Sequence, residues 1–189
     1  MAATAILMTA DEFASMTDED RYELIDGELV ERPPVGNESS WIAGKLLAFL
    51  DSHLQANHLG WVFGPDGGYR CFPDRPNRLR RPDVSFVRFG RFPNETIPRG
   101  YPTLAPDLVV EVVSPGDLAE EVETKIQQFL SADVPLLWVV FPDSRVVHVR
   151  RPDGSARVLG VDDELSGEEV VPGFQCRVSD LFPPVITPA

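Results

Sequence analysis

A single carboxylate interrupts the most apolar segment of the sequence. Residues 106–115 read PDLVVEVVSP, in which Glu111 stands among valines that favour a buried strand. Side chains of a strand alternate between its two faces, so Glu111 points to the same side as Val109 and Val113. An ionised carboxylate in a dry interior is costly unless a charged partner or a bound ion compensates it. We therefore expect a charged group opposite Glu111.

Lys125 is a candidate for that group. Residues 117–131 have the periodicity of an amphipathic helix, with an apolar stripe that begins at Leu118. At about 100° per residue, Lys125 lies about 20° from Leu118, on the side that faces the core. The chain has only two lysines among its 17 basic residues. Because the strand and the helix adjoin in the chain, we expect Glu111 and Lys125 to share a site.

A second carboxylate, in the segment RRPDVSFV at residues 80–87, opens the strand predicted at residues 83–89. Asp83 follows a proline, which is tolerated at the start of a strand because its missing N–H is not needed there. Asp83 and Glu111, in neighbouring strands, could converge and would then repel each other unless a cation lay between them. Mg²⁺ and Mn²⁺ take oxygen ligands of this kind. With the Lys125 ammonium nearby, the set predicts metal-assisted hydrolysis at a phosphoryl group.

Two other interpretations stay open on these residues alone. Glu111 and Lys125 could form a purely structural ion pair, with Asp83 only starting its strand. Paired carboxylates could also serve a glycosidase, but that chemistry needs a sugar cleft with aromatic platforms. The three tryptophans fit core or sheet-edge positions better. The sequence has no zinc-ligand spacing, nucleophile elbow or phosphate-binding loop.

The elements around these residues predict a mixed α and β fold in one domain, residues 1–189. Thr9 and Glu12 resemble a capping box for a short helix near 10–16. YELIDGELVE predicts a hairpin about Asp26-Gly27, and a long helix is predicted from residue 38 to Gly60. Further strands are predicted at residues 61–65, 68–72, 83–89, 107–114 and 136–142. The strand–helix–strand unit at 107–141 predicts a parallel pair with a right-handed crossover.

The C-terminal part is predicted to be mostly strand. Residues 145–160 predict a second hairpin around Pro152-Asp153-Gly154. The acidic run DDELSGEE, residues 162–169, is interpreted as solvated surface. A short strand and a turn of helix are expected in the tail that follows.

Charge is distributed unevenly along the chain. The formal net charge is −13, which argues against broad capture of nucleic acid. Residues 70–99, however, contain eight arginines and three acidic residues, which makes that segment +5 and the remainder −18. We expect Arg78, Arg80 and Arg81 to contact phosphates. The alternative is that these arginines form ion pairs in a solvated loop.

Composition also limits the setting of the protein. No apolar run approaches the roughly 20 residues needed to span a bilayer. The first residues lack the basic and apolar regions of a signal peptide. The two cysteines, Cys71 and Cys176, make no disulfide framework. We therefore expect a cytoplasmic protein with no membrane association.

The sequence resembles the Uma2 family of restriction-endonuclease-like proteins over residues 8–182. The segments that carry the resemblance are, in order, YELIDGELVE, RRPDVSFV, PDLVVEVVSPGD, the Lys125 helix, LLWVVFPDSRVVHVRRPDG and VPGFQCRVSDLF. The resemblance implies a PD-(D/E)XK nuclease fold, with a central mixed β-sheet flanked by helices and with added β-hairpins.

The resemblance also implies roles for individual residues. Asp83 and Glu111 would be the metal-binding acids, and Lys125 would replace the usual lysine of the motif, whose position is Val113 here. Val113 would then contribute its main-chain carbonyl to the metal. Glu23 matches the family's N-terminal acidic position and would complete the site as a metal ligand, directly or through water. Where relatives often carry a histidine at the start of the long helix, this sequence has serines.

Together these observations predict a Mg²⁺- or Mn²⁺-dependent endonuclease that acts on DNA. A homodimer or higher homo-oligomer is expected, because cutting both strands of a duplex often requires two sites. The alternative is an inactive nuclease-fold protein that serves as an oligomeric or nucleic-acid-binding module. The acidic composition and the missing histidine favour that alternative.

Overall fold

A six-stranded mixed sheet organises the protein in a computed structural model that describes residues 7–184. The strand order is β3 (Gly60–Phe63), β4 (Val84–Arg88), β5 (Leu108–Val112), β6 (Leu136–Phe141), β7 (Val146–Arg150) and β8 (Ala156–Leu159). β5 and β6 are parallel, and the other neighbours are antiparallel. The predicted parallel pair is thus confirmed, and the helix between its strands is α3 (Ala119–Ser131).

Helices cover both faces of the sheet. α2 (Asn37–Asn57) buries Ile42, Leu46, Leu50 and Leu54 in the same apolar cluster as Phe86 and Trp138. On the other face, α3 contributes Ile126 and Phe129 to a cluster with Val109, Leu137 and Val139. Glu111 lies two residues after Val109 in the same strand, so its side chain also points to the α3 face. The predicted fold class, a central mixed sheet flanked by helices, is confirmed.

The N-terminal hairpin packs beside this sheet as a separate two-stranded ribbon. β1 (Tyr22–Ile25) pairs with β2 (Glu28–Glu31), as predicted. Asp26 and Gly27 have φ values of 55° and 94°, which a two-residue turn with positive φ requires. α1 (Ala10–Phe13) carries the predicted capping box of Thr9 and Glu12 but ends before residue 16. A bridge from Leu24 to Leu79 joins the hairpin to the arginine-rich segment.

Several predicted boundaries differ from the structure for physical reasons. α2 stops at Asn57 with His58 as a left-handed cap (φ 52°), whereas the prediction ended the helix at Gly60. Gly60 instead starts β3, where a side chain would collide with Val87 O and the Arg88 Cα of β4. α3 begins two residues later than predicted, because the Asp117 carboxylate accepts from Ser114 N at 2.7 Å and closes a turn.

Two segments were assigned wrongly from the sequence. Residues 68–72 form only an isolated bridge, from Tyr69 to Arg80, and no strand. The acidic run 162–169 contains β9 (Glu164–Ser166), which pairs with β10 (Gln175–Arg177) and buries Leu165 completely. A strand whose apolar face is a single leucine has too little alternation to stand out among acidic neighbours.

Within residues 7–184, no helix is both long and apolar enough to cross a membrane.

Candidate active site

Glu111 meets Lys125 where β5 faces α3. Lys125 Nζ donates a hydrogen bond to Glu111 Oε2 over 3.0 Å. The side chains of Lys125 and Glu111 are 19% and 10% exposed, so water screens this ion pair only weakly. The contact expected from strand alternation and helical phase is therefore present in the structure.

Lys125 also contacts a main-chain oxygen and a second carboxylate. Its Nζ donates to Arg81 O over 2.7 Å and lies 3.4 Å from Glu23 Oε1. Burial alone would lower the pKa of Lys125, but the carboxylates of Glu111, Glu23 and Asp83 outweigh burial and raise the pKa above its ordinary value. The ammonium is therefore charged at neutral pH and fixed in place by several acceptors.

Glu23, in the middle of β1, is held through both of its oxygens. Oε1 accepts from Arg81 N over 2.8 Å, and Oε2 accepts from Arg80 Nη1 over 2.6 Å. Arg80 Nε donates in turn to Gln128 Oε1, which ties the hairpin to α3. Burial would raise the pKa of Glu23, but the charges of Lys125 and Arg80 and these hydrogen bonds lower it overall. Glu23 is thus a charged anchor for Lys125.

Asp83 reaches the same site because of the register between β4 and β5. The antiparallel ladder pairs Val84 with Val110, and continuing that register places Asp83 opposite Glu111 on the same face. Regular pairing ends at this point, so the N–H of Val112 lies beyond the last pair. Asp83 Oδ2 accepts a hydrogen bond from that N–H over 2.6 Å. A shift of one residue in either strand would send one of the carboxylates to the opposite face.

Both carboxylates hold protons more tightly than usual. Burial raises the pKa of Glu111 to about 8, an effect that Lys125 opposes and Asp83 reinforces. Burial also raises the pKa of Asp83, against the pull of Lys125 and of the hydrogen bond from Val112. Glu111 Oε1 is buried without a hydrogen-bond partner among the described residues. A second cation beside this pair would relieve both the repulsion and the unpaired oxygen.

The donor set fits an ion that retains water. In the described part of the chain, residues 7–184, no three His, Cys, Asp or Glu side chains are grouped so that they could hold a metal by themselves. Mg²⁺ commonly uses one or two carboxylates and completes its shell with waters and substrate phosphates. Two carboxylates, one with a free buried oxygen, therefore suit Mg²⁺ or a similar ion better than zinc, which takes nitrogen and sulfur ligands.

These groups lie at the base of a cleft of about 910 Å³. One wall comes from the β1–β2 hairpin and the residues after it, and the other comes from the first turns of α3. Further acidic residues that line the cleft are Glu31, Asp117, Glu120 and Glu121. A volume of this size is typical of pockets that bind small organic groups, such as a nucleotide. The entrance is acidic, whereas the base also holds the Lys125 ammonium.

The sequence matches the model of a protein family over residues 10–179, and that family is described as "Putative restriction endonuclease". The chain belongs to the Uma2 family. The predicted resemblance is thereby confirmed. Among curated protein sequences, none matches the chain significantly.

The Uma2 chain also resembles a solved structure, described as "a putative nuclease belonging to DUF820 from Anabaena variabilis ATCC 29413". The two share 22% sequence identity, and the match covers 93% of this chain and 97% of that chain with a TM-score of 0.78. At this identity the likeness shows a shared fold. Family membership supports a nuclease, a hydrolase that acts on nucleic acid.

In this member of the Uma2 family, Val113 follows β5 at the edge of the cleft. Its carbonyl accepts a hydrogen bond from Ser39 Oγ over 3.1 Å, and its N–H donates to Val140 O over 2.9 Å. A carbonyl oxygen has two lone pairs, so one remains for another partner. Ser39, at the start of α2 and only 2% exposed, is a residue of the site region to which the sequence pattern assigned no contact.

The three arginines expected to bind phosphates are engaged by the protein itself. Arg78 makes two hydrogen bonds to Asp26, at 3.0 and 2.7 Å. Arg80 and Arg81 are 6% and 3% exposed, and Arg81 donates to Asp66 O and to the hydroxyl of Tyr101. Arg78 and Arg80 thus form ion pairs with side chains only 13% and 7% exposed, whereas the Arg81 guanidinium donates to neutral oxygens. The sequence could not distinguish ion pairs from phosphate contacts, because both need the same residue type.

Replacing Arg80 with alanine is expected to destabilise the fold by about 3 to 5 kcal/mol, because Glu23 would keep its charge in a buried position with one partner fewer. The side chains of Arg80 and Glu23 are only 7% and 10% exposed. Urea denaturation at pH 7 measures the effect. Arg21→Ala is the matched control, since the Arg21–Glu31 pair is 59% and 64% exposed and should contribute less than about 1 kcal/mol. Equal losses in the two variants would contradict the anchoring role.

Proposed function

We propose that this Uma2 protein is a divalent-metal-dependent endonuclease that hydrolyses DNA phosphodiester bonds. The observation that carries the proposal is the convergence of Asp83, Glu111 and Lys125 at the base of a cleft, with one buried Glu111 oxygen left without a partner. A purely structural ion pair would require neither the second carboxylate nor the cleft. The family description supports nuclease chemistry.

Asp83 and Glu111 would hold the metal, Mg²⁺ or Mn²⁺, with the free lone pair of the Val113 carbonyl as a further donor. When bound, the ion would neutralise the two carboxylates, polarise the phosphate and favour deprotonation of a bound water. Asp83 is already oriented by its hydrogen bond from Val112 N. Glu111 is oriented by Lys125, which leaves the other carboxylate oxygen for the ion.

Lys125 acts in this proposal as a fixed positive charge. Its raised pKa keeps it protonated at neutral pH, so it is unsuited to removing a proton from water. An ammonium held in a cleft can instead donate a hydrogen bond to a phosphoryl oxygen and stabilise the charge that develops there. It can also orient the attacking water. Glu23, whose oxygens accept hydrogen bonds from Arg80 Nη1 and Arg81 N, would position Lys125, and its remaining lone pairs leave it free to ligate the metal directly or through water.

The second candidate is a nuclease-fold protein without catalysis that serves as an oligomeric or nucleic-acid-binding module. The acidic rim of the cleft favours it, because carboxylates at the entrance repel the phosphates of a nucleic acid. A dimer or higher oligomer is part of both proposals and is measured by sedimentation velocity.

Incubation of the purified protein with supercoiled plasmid and with single-stranded DNA separates the two candidates. Cleavage is expected with Mg²⁺ or Mn²⁺ and none with EDTA. The loss of cleavage in the Asp83→Ala variant excludes a contaminating nuclease. If the wild-type protein leaves both substrates intact in either metal, the catalytic proposal is wrong and the module is favoured.

Metal affinity is expected to increase with pH up to about 8. Glu111 has a pKa of about 8 in the metal-free protein, so below that pH its proton must leave before a cation can bind. Each unit of pH below this value should therefore weaken binding by up to about tenfold for one released proton. Calorimetric titration with Mn²⁺ at pH 6, 7 and 8, in buffers of different ionisation enthalpy, measures affinity and proton release together.

The control for this titration is Glu111→Gln, which has no titrating group at that position. It should lose most of the affinity and the proton release. Binding that is equally tight at pH 6 and 8, with no proton released, would show that Glu111 does not hold the metal.

A further inference from the structure

Arg32 is a cation of the cleft to which the proposed mechanism gives no role. It follows β2, and its main-chain N–H donates to Arg21 O over 2.9 Å, which extends the hairpin by one hydrogen bond. Pro33 comes next and restricts residue 32 to an extended conformation. Arg32 Nη1 donates a hydrogen bond to Asp20 O over 3.0 Å, and Arg32 Nη2 donates to Pro65 O over 3.1 Å. The guanidinium is therefore fixed between the 3₁₀ helix Glu19–Arg21 and the turn at Pro65.

Two clefts meet at this residue. The second cleft, of about 520 Å³, lies on the α2 side and is lined there by Ser40, Ala43, Gly44 and Leu47. The residues that line both clefts are Glu31, Arg32, Pro33, Val35 and Asp83. A nucleic-acid strand that occupies both clefts must therefore pass Arg32 and the candidate metal ligand Asp83. Burial raises the pKa of Asp83, and the charge of Arg32 is among those that oppose this rise.

Arg32 is more accessible than the other two arginines that line the larger cleft. Arg80 and Arg81 are 6% and 3% exposed, and Lys125 is paired with Glu111 and Glu23. The hydrogen bonds that the Arg32 guanidinium donates go to neutral carbonyls, which leaves its charge for another partner. Arg32 Nη1 forms an ion pair with Asp66 Oδ1 at the long distance of 3.7 Å, and the Asp66 side chain is 84% exposed, so this pair neutralises the charge only weakly. Its own side chain is 21% exposed, which leaves it accessible from the clefts.

We propose that Arg32 binds a phosphate of the substrate strand where the two clefts meet, beside the bond that is cleaved. This inference rests on the proposed nuclease function and deepens it. A guanidinium presents planar donors that match phosphate oxygens, and its fixed mounting reduces the entropy lost on binding. One accessible cation inside an acidic entrance places the strand at a defined point instead of attracting nucleic acid broadly.

Fluorescence anisotropy with a labelled single-stranded oligodeoxynucleotide tests the inference apart from catalysis. The titrations contain Ca²⁺, and gel analysis verifies that the oligonucleotide stays intact. Arg32→Ala is expected to raise the Kd about tenfold or more. The slope of log affinity against log salt should decrease in magnitude by about 0.7, the value for one phosphate contact on a single strand. Arg32→Lys should keep the slope but recover only part of the affinity, because lysine keeps the charge without the fork.

Arg157→Ala is the matched control, since Arg157 is exposed on β8, an edge strand distant from β4, and its loss changes the net charge equally. Its Kd should stay within about twofold of the wild-type value, because distant charges are screened. An unchanged Kd and slope in Arg32→Ala, or an equal loss in Arg157→Ala, would overturn the inference. Thermal melting reports folding. If Arg32→Ala has a lower melting temperature than the wild-type protein, the Arg32→Lys variant is the deciding test. A Kd of Arg32→Lys equal to that of the wild-type protein then refutes the proposal.

The failures of the two proposals look different. If the wild-type protein binds the oligonucleotide through Arg32 but does not cleave DNA in Mg²⁺ or Mn²⁺, the nuclease proposal is refuted and the phosphate contact stands. If the wild-type protein cleaves DNA and Arg32→Ala binds the oligonucleotide as tightly as the wild-type protein, only the phosphate contact is refuted. Absence of both binding and cleavage refutes both.

Discussion

Replacing Lys125 with methionine is expected to reduce DNA cleavage by about a hundredfold to a thousandfold, the usual effect of removing one charged stabiliser of a transition state. Methionine keeps most of the length of the side chain but removes the ammonium that contacts Glu111 and Arg81 O. Initial rates of plasmid cleavage in Mg²⁺ measure the effect. Because Lys125 also orients Glu111, the affinity for Mn²⁺ is expected to decrease as well.

The same substitution should destabilise the fold in a pH-dependent way. Without the ammonium, Glu111 and Glu23 lose a cation, so the pKa of Glu111 in the folded protein rises further above its unfolded value, and the lowered pKa of Glu23 rises as well. A carboxyl group with a raised folded pKa costs stability as pH rises above its unfolded pKa. The loss should therefore be about 3 kcal/mol or more at pH 8 and smaller at pH 5, as measured by urea denaturation.

Lys45→Met provides the matched control for Lys125→Met. Lys45 is the other lysine of the chain, and its Nζ lies 4.6 Å from the centroid of the Phe49 ring on α2. Its loss should cost at most about 1 kcal/mol and leave cleavage unchanged. If Lys125→Met cleaves DNA at the wild-type rate, the proposed site is wrong. If its stability loss is the same at pH 5 and pH 8, the charge coupling in the site is wrong.

Replacing Asp83 with asparagine is expected to abolish cleavage without loss of stability. The asparagine carbonyl can still accept the hydrogen bond from Val112 N, which Asp83 accepts at 2.6 Å. The substitution removes one of two buried, mutually repelling carboxylates, and the raised pKa of Asp83 shows that its charge is unfavourable in the metal-free fold. The free energy of unfolding at pH 7 should therefore stay the same or rise by about 1 kcal/mol.

Asp107→Asn is the reciprocal control for Asp83→Asn. Asp107 is also a buried aspartate, but it forms ion pairs with Arg88 and Arg91, each at 2.9 Å. Neutralising it should cost about 2 kcal/mol and leave the metal site intact. Cleavage assays, Mn²⁺ calorimetry and urea denaturation on both variants give the comparison. A large loss of stability in Asp83→Asn, or cleavage that survives it, would mean that Asp83 is a structural residue.

Local pattern determined much of the fold. The turn at Asp26-Gly27 and the alternation of β5 depend on neighbours in the chain, and both are confirmed by the structure. The phase of α3 holds for Ile126 and Phe129, whereas Leu118, predicted to face the core, is 62% exposed just before the helix. The same rules predicted that Glu111 and Lys125 meet, because strand alternation and helical phase both fix the direction of a side chain. Where local signals competed, as at Gly60 and in the acidic segment of β9, tertiary contacts decided the boundary.

Tertiary structure alone decided which charges meet. Arg80 and Arg81 are close to Asp83 in the chain and were expected to contact phosphates. In the structure, Glu23 of the β1–β2 hairpin accepts hydrogen bonds from the Arg80 side chain and from the Arg81 N–H. Asp83 lies opposite Glu111 only because β4 and β5 pair in one register, and register depends on long-range packing rather than on sequence spacing. The sequence by itself thus determined which residues needed a charged partner, and the packing of distant elements selected the partner.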